Sequence, residues 1–220
     1  MKKQKQIVVT TLQKVQPSAE LPPDTDISNH FKTQDDINSA IQKGTLVEVK
    51  TQNIKISEKS YVTSELANFI STDLDPKLKD YKDVLEISSA TRFLKLQILL
   101  KEKLGYLAAS ISYHTKGAAI DLKLSEATKK RFDVYLKEKT RLDQATVLYQ
   151  NNTPLTISNL IKNGVVDENN EGAQVFRIIE DLIKEKGVEL IDETFFGIRL
   201  DKDGNITEIN PVFHLQYKAS

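Results

Sequence analysis

The C-terminal stretch VELIDETFFGIRLDKDGNITEINPVFHLQY, residues 188–217, indicates the fold class of this chain. Its β-branched and aromatic residues predict strands over residues 188–191, 194–200, 206–209 and 212–217. The loop DKDGN at residues 201–205 has the residue types of a tight hairpin turn. Because helix-like segments precede these strands, we predict an α+β fold with β-hairpins.

Two predicted helices come directly before the strands, over residues 156–162 and 173–186, and Gly164 and Gly187 end them. The order helix, helix, strand, hairpin resembles, in outline only, the winged-helix arrangement of many DNA-binding domains. The resemblance covers residues 156–217 and has no diagnostic motif. Residues 151–220 carry 7 basic and 12 acidic side chains, so they would repel a polyanion. A winged-helix region here would therefore be expected to bind protein.

The middle of the chain is predicted to be mainly helical. Residues 77–104 have a helical pattern, and residues 125–150 form the longest predicted helix, which is amphipathic and about 35–40 Å long. Asn and Pro residues end it at 151–154, where we place a domain boundary. We predict an α+β body over residues 26–150 and an α+β subdomain over residues 151–220.

Three shorter regions of the body have strand-like patterns. Residues 46–49 and 54–56 are rich in Val and Ile. Residues 106–124 alternate in polarity on both sides of a turn at 115–117, which favours a β-hairpin. Their Ala and Leu content leaves a helix as the alternative.

The first 25 residues are predicted to form an extended arm. Ile7, Val8 and Val9 favour a strand, and the proline-rich residues 16–24 cannot sustain a helix. We predict that these three residues bind a partner by adding a strand to the edge of its sheet.

Composition excludes several classes of protein. The 220-residue chain has no cysteine, which removes disulfides, thiolate nucleophiles and Cys-based zinc sites. No apolar run approaches the length of about 18 residues that a membrane span needs. The apolar stretch after the basic N-terminus ends after three residues, too short for a signal peptide, so we expect a cytoplasmic protein.

Charge is segregated along the chain although the net charge is zero. Residues 75–150 carry a net charge of +5 and residues 151–220 a net charge of −5, so these surfaces could attract each other within or between subunits. Lys129, Lys130 and Arg131 are the best candidates for binding nucleic acid. Acidic residues are interleaved with them, which is more typical of a mixed-charge helix surface.

The sequence contains no recognisable catalytic or metal-binding motif. The three histidines, His30, His114 and His214, have no helical ligand spacing. Ser112, His114 and Asp121 are close in sequence, but they lack a nucleophile-elbow motif. The loop at 201–205 begins like a calcium loop, but its glycine is at position 4 where an EF-hand needs position 6. We therefore predict no catalytic, cofactor-binding or metal-binding residues.

These observations favour a non-enzymatic structural or interaction protein. It would be a subunit of a larger assembly, for example a virion or phage particle, formed with other proteins or copies of itself. The main alternative is a nucleic-acid-associated protein. An enzyme with an unfamiliar site is the third, and it requires that the fold bring His114 and Asp121 together in a deep pocket.

Overall fold

The computed structural model describes residues 26–104, 112–184 and 186–217, which form an α+β fold as predicted. The helices are α1 (Gln34–Gln42), α2 (Ser64–Asn68), α3 (Asp75–Lys77), α4 (Leu94–Leu104), α5 (Glu126–Lys137), α6 (Arg141–Gln150), α7 (Ile157–Lys162) and α8 (Glu171–Ile183). The strands are β1 (Leu46–Glu48), β2 (Lys55–Ile56), β3 (Tyr61–Thr63), β4 (Leu85–Ser89), β5 (Ala119–Leu124), β6 (Val188–Asp192), β7 (Ile198–Leu200), β8 (Ile206–Ile209) and β9 (Val212–Tyr217).

A five-stranded sheet with the order β2-β4-β5-β9-β6 is the centre of the fold. Strand β2 runs parallel to β4, and the other neighbours in this sheet are antiparallel. Two smaller sheets, β1-β3 and β7-β8, complete the described topology. The two parts predicted on either side of residue 150 share the central sheet, because β9 pairs with β5.

One face of the central sheet carries the main core. Ile120, Leu122, Phe213 and Leu215 are all fully buried on this face. Helix α8 packs against it, and the ring centroids of Phe176 and Phe213 lie 5.3 Å apart. Such alternation of apolar and polar residues along β5 and β9 is what a sheet with one core face requires.

The predicted long helix over residues 125–150 is wrong, because it is two helices. Helix α5 ends at Lys137, and Thr140 has a left-handed φ of 59° before α6 begins. The break lets α6 fold back against the body. Ala145 becomes fully buried, and the Thr146 hydroxyl accepts a hydrogen bond from the backbone N–H of Ile206 at 2.9 Å. Tertiary packing of α6 therefore outweighs the continuous helical pattern.

The helical prediction for residues 77–104 is wrong in its centre, where β4 is a strand of the central sheet. Leu85 and Ile87 are buried, while Glu86 on the opposite face contacts Lys123, its partner in β5. The hairpin predicted for residues 106–124 is confirmed only in its second strand, β5. Residues Tyr113–Lys116 form a 3₁₀ turn, and residues 105–111 lie outside the described part of the chain.

The C-terminal elements follow the predicted order, and the hairpin turn at 201–205 joins β7 to β8. Residues Thr194–Gly197 are a 3₁₀ turn, so β7 is shorter than predicted. Strands β6 and β9 belong to the central sheet, whereas β7 and β8 form a separate ribbon. The winged-helix outline is thus present in element order, but its strands are divided between two sheets.

Asp75 organises the loop that leads into β2. The residue is buried, and its carboxylate accepts hydrogen bonds from the backbone N–H groups of Gln52, Asn53 and Ile54 at 2.9, 2.9 and 3.0 Å. One carboxylate therefore satisfies three donors in a loop where no strand partner is available to them.

We expect Asp75→Ala to lower the free energy of unfolding by about 3 kcal/mol, because it leaves buried backbone donors without acceptors. Chemical denaturation monitored by circular dichroism measures this change. The matched control is Asp80→Ala, at an exposed position nearby, which should change stability by less than about 0.5 kcal/mol. Equal stability of the two variants would contradict the role given to Asp75.

Candidate functional site

Asp121 and His214 face each other across the pairing of β5 with β9, on the face of the sheet opposite the main core. Their neighbours Ile120 and Leu215 are a hydrogen-bonded pair in the antiparallel ladder, so Asp121 and His214 form the closer, non-hydrogen-bonded type of pair. His214 Nδ1 lies 2.8 Å from Asp121 Oδ1. The sheet register therefore forces these two polar side chains into contact.

His114 joins this pair from the 3₁₀ turn that precedes β5. Its Nε2 lies 3.0 Å from the same oxygen, Asp121 Oδ1, and its ring centroid is 4.9 Å from that of His214. The turn ends at Gly117, whose φ of 71° redirects the chain into β5. The side chains of His114, Asp121 and His214 are only 2%, 13% and 8% exposed. We call these three residues the His-Asp cluster.

Further polar side chains surround the cluster. Arg92 Nη2 donates to Asp121 Oδ2 at 2.7 Å, and Arg92 Nε donates to Ser89 Oγ at 2.8 Å. On the other side, Gln216 Nε2 donates to Glu189 Oε2 at 2.6 Å. Every polar atom of Asp121 thus has a close neighbour, as a buried carboxylate requires.

The pKa values of the titratable groups in this region shift in opposite directions: those of Asp121 and His114 are lowered, and those of His214 and Glu193 are raised. Burial raises the pKa of Asp121, but its contacts with His114, His214 and Arg92 outweigh burial and hold that pKa well below its ordinary value. Burial lowers the pKa of His114. Burial also lowers the pKa of His214, but Asp121 and Glu193 more than offset it, and the net shift is upward. Burial and the charge of Asp121 raise the pKa of Glu193.

Two imidazole nitrogens and one carboxylate oxygen of the cluster lie within 4.8 Å of one another, a donor set that could hold a metal ion. A surface groove of about 590 Å³ reaches Ser89, Ala90 and Thr91 nearby, but the three cluster residues do not line it. The convergence that the enzyme alternative requires is therefore present, whereas this groove does not open onto it.

No protein-family model, curated protein or solved structure matches this chain. Among the described residues, no helix is long and apolar enough to cross a bilayer.

The sequence predicted two sets of binding residues, one in the N-terminal arm and one on α5. Ile7, Val8 and Val9 lie outside the described residues. Lys129 contacts Glu208 at 3.0 Å in addition to Asp133.

The other two basic residues on α5 also have acidic partners. Lys130 lies 3.5 Å from Glu126, and Arg131 lies 2.8 Å from Glu171. Each residue of this basic run is thus neutralised within the chain, which disfavours a phosphate-binding surface.

Sequence reasoning considered His114 with Asp121 but missed His214 and Arg92. His214 is 93 residues from Asp121 in sequence, and only the pairing of β5 with β9 makes them neighbours. One feature of the sequence could have indicated this contact. Asp121 and His214 are both polar residues in predicted strands whose alternate residues are strongly apolar. Two strands with polar residues at such positions can place those residues side by side.

We expect Asp121→Asn to lower the free energy of unfolding at pH 7 by about 3–5 kcal/mol, because it removes the charge partner of the partly buried Arg92. The matched control is Asp181→Asn, which disrupts an exposed pair with Lys184 and should cost less than about 1 kcal/mol. Urea denaturation of both variants measures the difference.

The difference in the free energy of unfolding between the wild type and Asp121→Asn should also depend on pH. A lowered carboxylate pKa stabilises the folded state above the unfolded-state pKa of about 3.9, and this contribution is lost as the pH falls below that value. The stability gap between the wild type and Asp121→Asn should therefore be full above about pH 5 and narrow at lower pH. A gap that widens on acidification would contradict the assignment.

Proposed function

We propose that this protein is a non-enzymatic interaction protein that forms part of a larger assembly, with Ile7, Val8 and Val9 of one copy pairing with the edge of β6 in a neighbour. The observation that carries the proposal is that β6 lies at the end of the central sheet, paired only with β9 among the described strands. An edge strand presents backbone donors and acceptors to an added strand.

The backbone directions along β6 follow from two hydrogen bonds. The Tyr217 N–H donates to the Ala118 carbonyl at 2.9 Å, so the backbone of Tyr217 faces β5. The Glu193 N–H donates to the Val212 carbonyl at 2.9 Å, so the backbone of Glu193 faces β9. Because these directions alternate along a strand, the N–H and C=O groups of Leu190 face away from β9. These outward groups are where a partner strand would pair.

Strand β6 lacks two residue types that commonly protect an edge, and its charged residues, Glu189 and Asp192, form hydrogen bonds within the chain. It is five residues long and contains neither proline nor lysine. Ile191 is 38% exposed and gives an added strand an apolar contact. The opposite edge strand, β2, is only two residues long, which makes it a much poorer template. These differences support β6 as the docking edge.

The complementary charges of the middle and C-terminal segments form ion pairs within one subunit. Lys129 and Arg131 of the basic middle segment contact Glu208 and Glu171 of the acidic C-terminal segment. This pairing uses part of the attraction that could otherwise join neighbouring copies. We therefore assign association to backbone pairing, which depends little on salt. The assembly we propose is cytoplasmic or is a virion or phage particle assembled there, and its partners are copies of this chain or other proteins.

Light scattering and sedimentation of the full-length protein over a salt series test this proposal. We expect the wild type to self-associate at high micromolar concentration at every salt level. Val8→Pro and Leu190→Pro should be monomeric, because each removes one backbone donor of the added strand or of the edge. Proline at position 190 removes no hydrogen bond to β9, because that N–H faces outward.

Val8→Ile and Leu190→Ile are the matched controls, since both keep the backbone donor and the β propensity, and they should associate like the wild type. A wild type that stays strictly monomeric at all salt concentrations would overturn the proposal. Proline variants that associate as strongly as the wild type would overturn it as well.

A further inference from the structure

We propose that His114, Asp121 and His214 bind one first-row divalent cation, of which Zn²⁺ is the representative, through His114 Nε2, His214 Nδ1 and Asp121 Oδ1. The inference is independent of the assembly proposed above. It depends on which atoms of the two rings must carry hydrogen, and on what their remaining nitrogens then face.

The hydrogen position on His114 is determined by Ala90. His114 Nδ1 lies 2.6 Å from the Ala90 carbonyl oxygen, which can only accept, so Nδ1 carries the hydrogen. A neutral imidazole has only one N–H, so its Nε2 then carries a lone pair. That lone pair faces Asp121 Oδ1 at 3.0 Å, an atom that is also only an acceptor.

His214 repeats this arrangement from the other side. Gln216 donates its amide nitrogen to Glu189 Oε2 at 2.6 Å, which orients its amide oxygen toward the ring. His214 Nε2 lies 3.1 Å from that oxygen and therefore carries the hydrogen. The lone pair of the neutral ring is then on Nδ1, which faces Asp121 Oδ1 at 2.8 Å.

Two neutral rings would thus direct lone pairs at the same carboxylate oxygen. Charging one ring alone would satisfy that ring but would leave the lone pair of the other ring facing Asp121 Oδ1. Charging both rings would put two positive charges 4.9 Å apart beside the guanidinium of Arg92, in a region shielded from water. Burying that many like charges around one carboxylate is unfavourable. A cation shared by the three atoms removes the conflict, because lone pairs are what a metal ion needs.

The surroundings match those of metal-binding histidines. Such a histidine usually donates its other N–H to a carbonyl or carboxylate group, which orients the ring. The carbonyl oxygen of Ala90 accepts this hydrogen bond from His114. The amide oxygen of Gln216 accepts it from His214, and the Gln216 amide is itself oriented by Glu189. Arg92 holds Asp121 Oδ2, which leaves Oδ1 as the ligand oxygen.

Donor chemistry selects the kind of cation. Two imidazole nitrogens and one carboxylate oxygen suit zinc and its transition-metal neighbours. Mg²⁺ and Ca²⁺ prefer sets of oxygen ligands, so they should bind poorly. Ligands of one tetrahedral Zn²⁺ lie about 3.3 Å apart. The two nitrogen–oxygen separations here are 3.0 and 2.8 Å and all three ligand atoms lie within 4.8 Å of one another, so the side chains would shift slightly to surround the ion. The ion would link β5, β9 and the 3₁₀ turn before β5.

The test uses untagged full-length protein from which metal has been removed with a chelator. Isothermal titration with Zn²⁺ should give one site per chain, and Zn²⁺ should raise Tm. Co²⁺ should bind with visible d–d absorption, while Mg²⁺ and Ca²⁺ should produce neither response. His214→Gln and Asp121→Asn should weaken Zn²⁺ binding at least about 100-fold.

The third histidine provides the matched control. His30 is also buried, but its Nδ1 contacts the Thr115 hydroxyl, outside the cluster, so His30→Gln should bind Zn²⁺ like the wild type. Absence of Zn²⁺ binding by the folded wild type, or equal binding by His214→Gln, would overturn the proposal.

An NMR titration of the wild type alone tests the site even if the variants fail to fold. In the NMR spectrum, stoichiometric Zn²⁺ should shift the ring resonances of His114 and His214 and leave those of His30 nearly unchanged. Shifts confined to His30, or none, would overturn the site.

Discussion

The pairing of β5 with β9 is the constraint on which the rest of this structure depends. It joins residues 119–123 to residues 212–216, segments about ninety positions apart, at the centre of the main sheet. The register puts Ile120 opposite Leu215 and Leu122 opposite Phe213, and thereby builds the apolar face against which α8 packs. The same register puts Asp121 opposite His214 on the other face. One set of backbone hydrogen bonds therefore builds both the core and the cluster.

Local features of the fold could be predicted because they are recorded in short stretches of sequence. Gly164, with a left-handed φ of 72°, follows the end of α7, and the hairpin turn at 201–205 lies where its residue types indicate. What could not be predicted was long-range. Thr140 has no intrinsic reason to adopt a left-handed conformation, and it does so because α6 gains burial by turning back.

The candidate site likewise has local features that could be predicted and long-range contacts that could not. His114 and Asp121 could be considered together because seven residues separate them, but neither indicates which strand will lie beside β5. Arg92 follows β4, a segment whose apolar residues also fit a helical pattern, so its contact with Asp121 could not be anticipated. Polar residues in otherwise apolar strands signal that a buried polar group needs partners. They do not signal which partners it will find.

Stability alone is a weak reason for the cluster to exist. Replacing a buried charged network by apolar side chains of similar volume is often neutral or stabilising, because the network must first be removed from water. A network contributes favourably only when each member is satisfied, and each of the two histidines, when neutral, directs a lone pair at the same carboxylate oxygen of Asp121. An arrangement that is costly alone and satisfied by a ligand is what a binding site looks like. His214 lies on β9, beside the edge strand β6, so the cluster is one strand away from the open edge of the sheet.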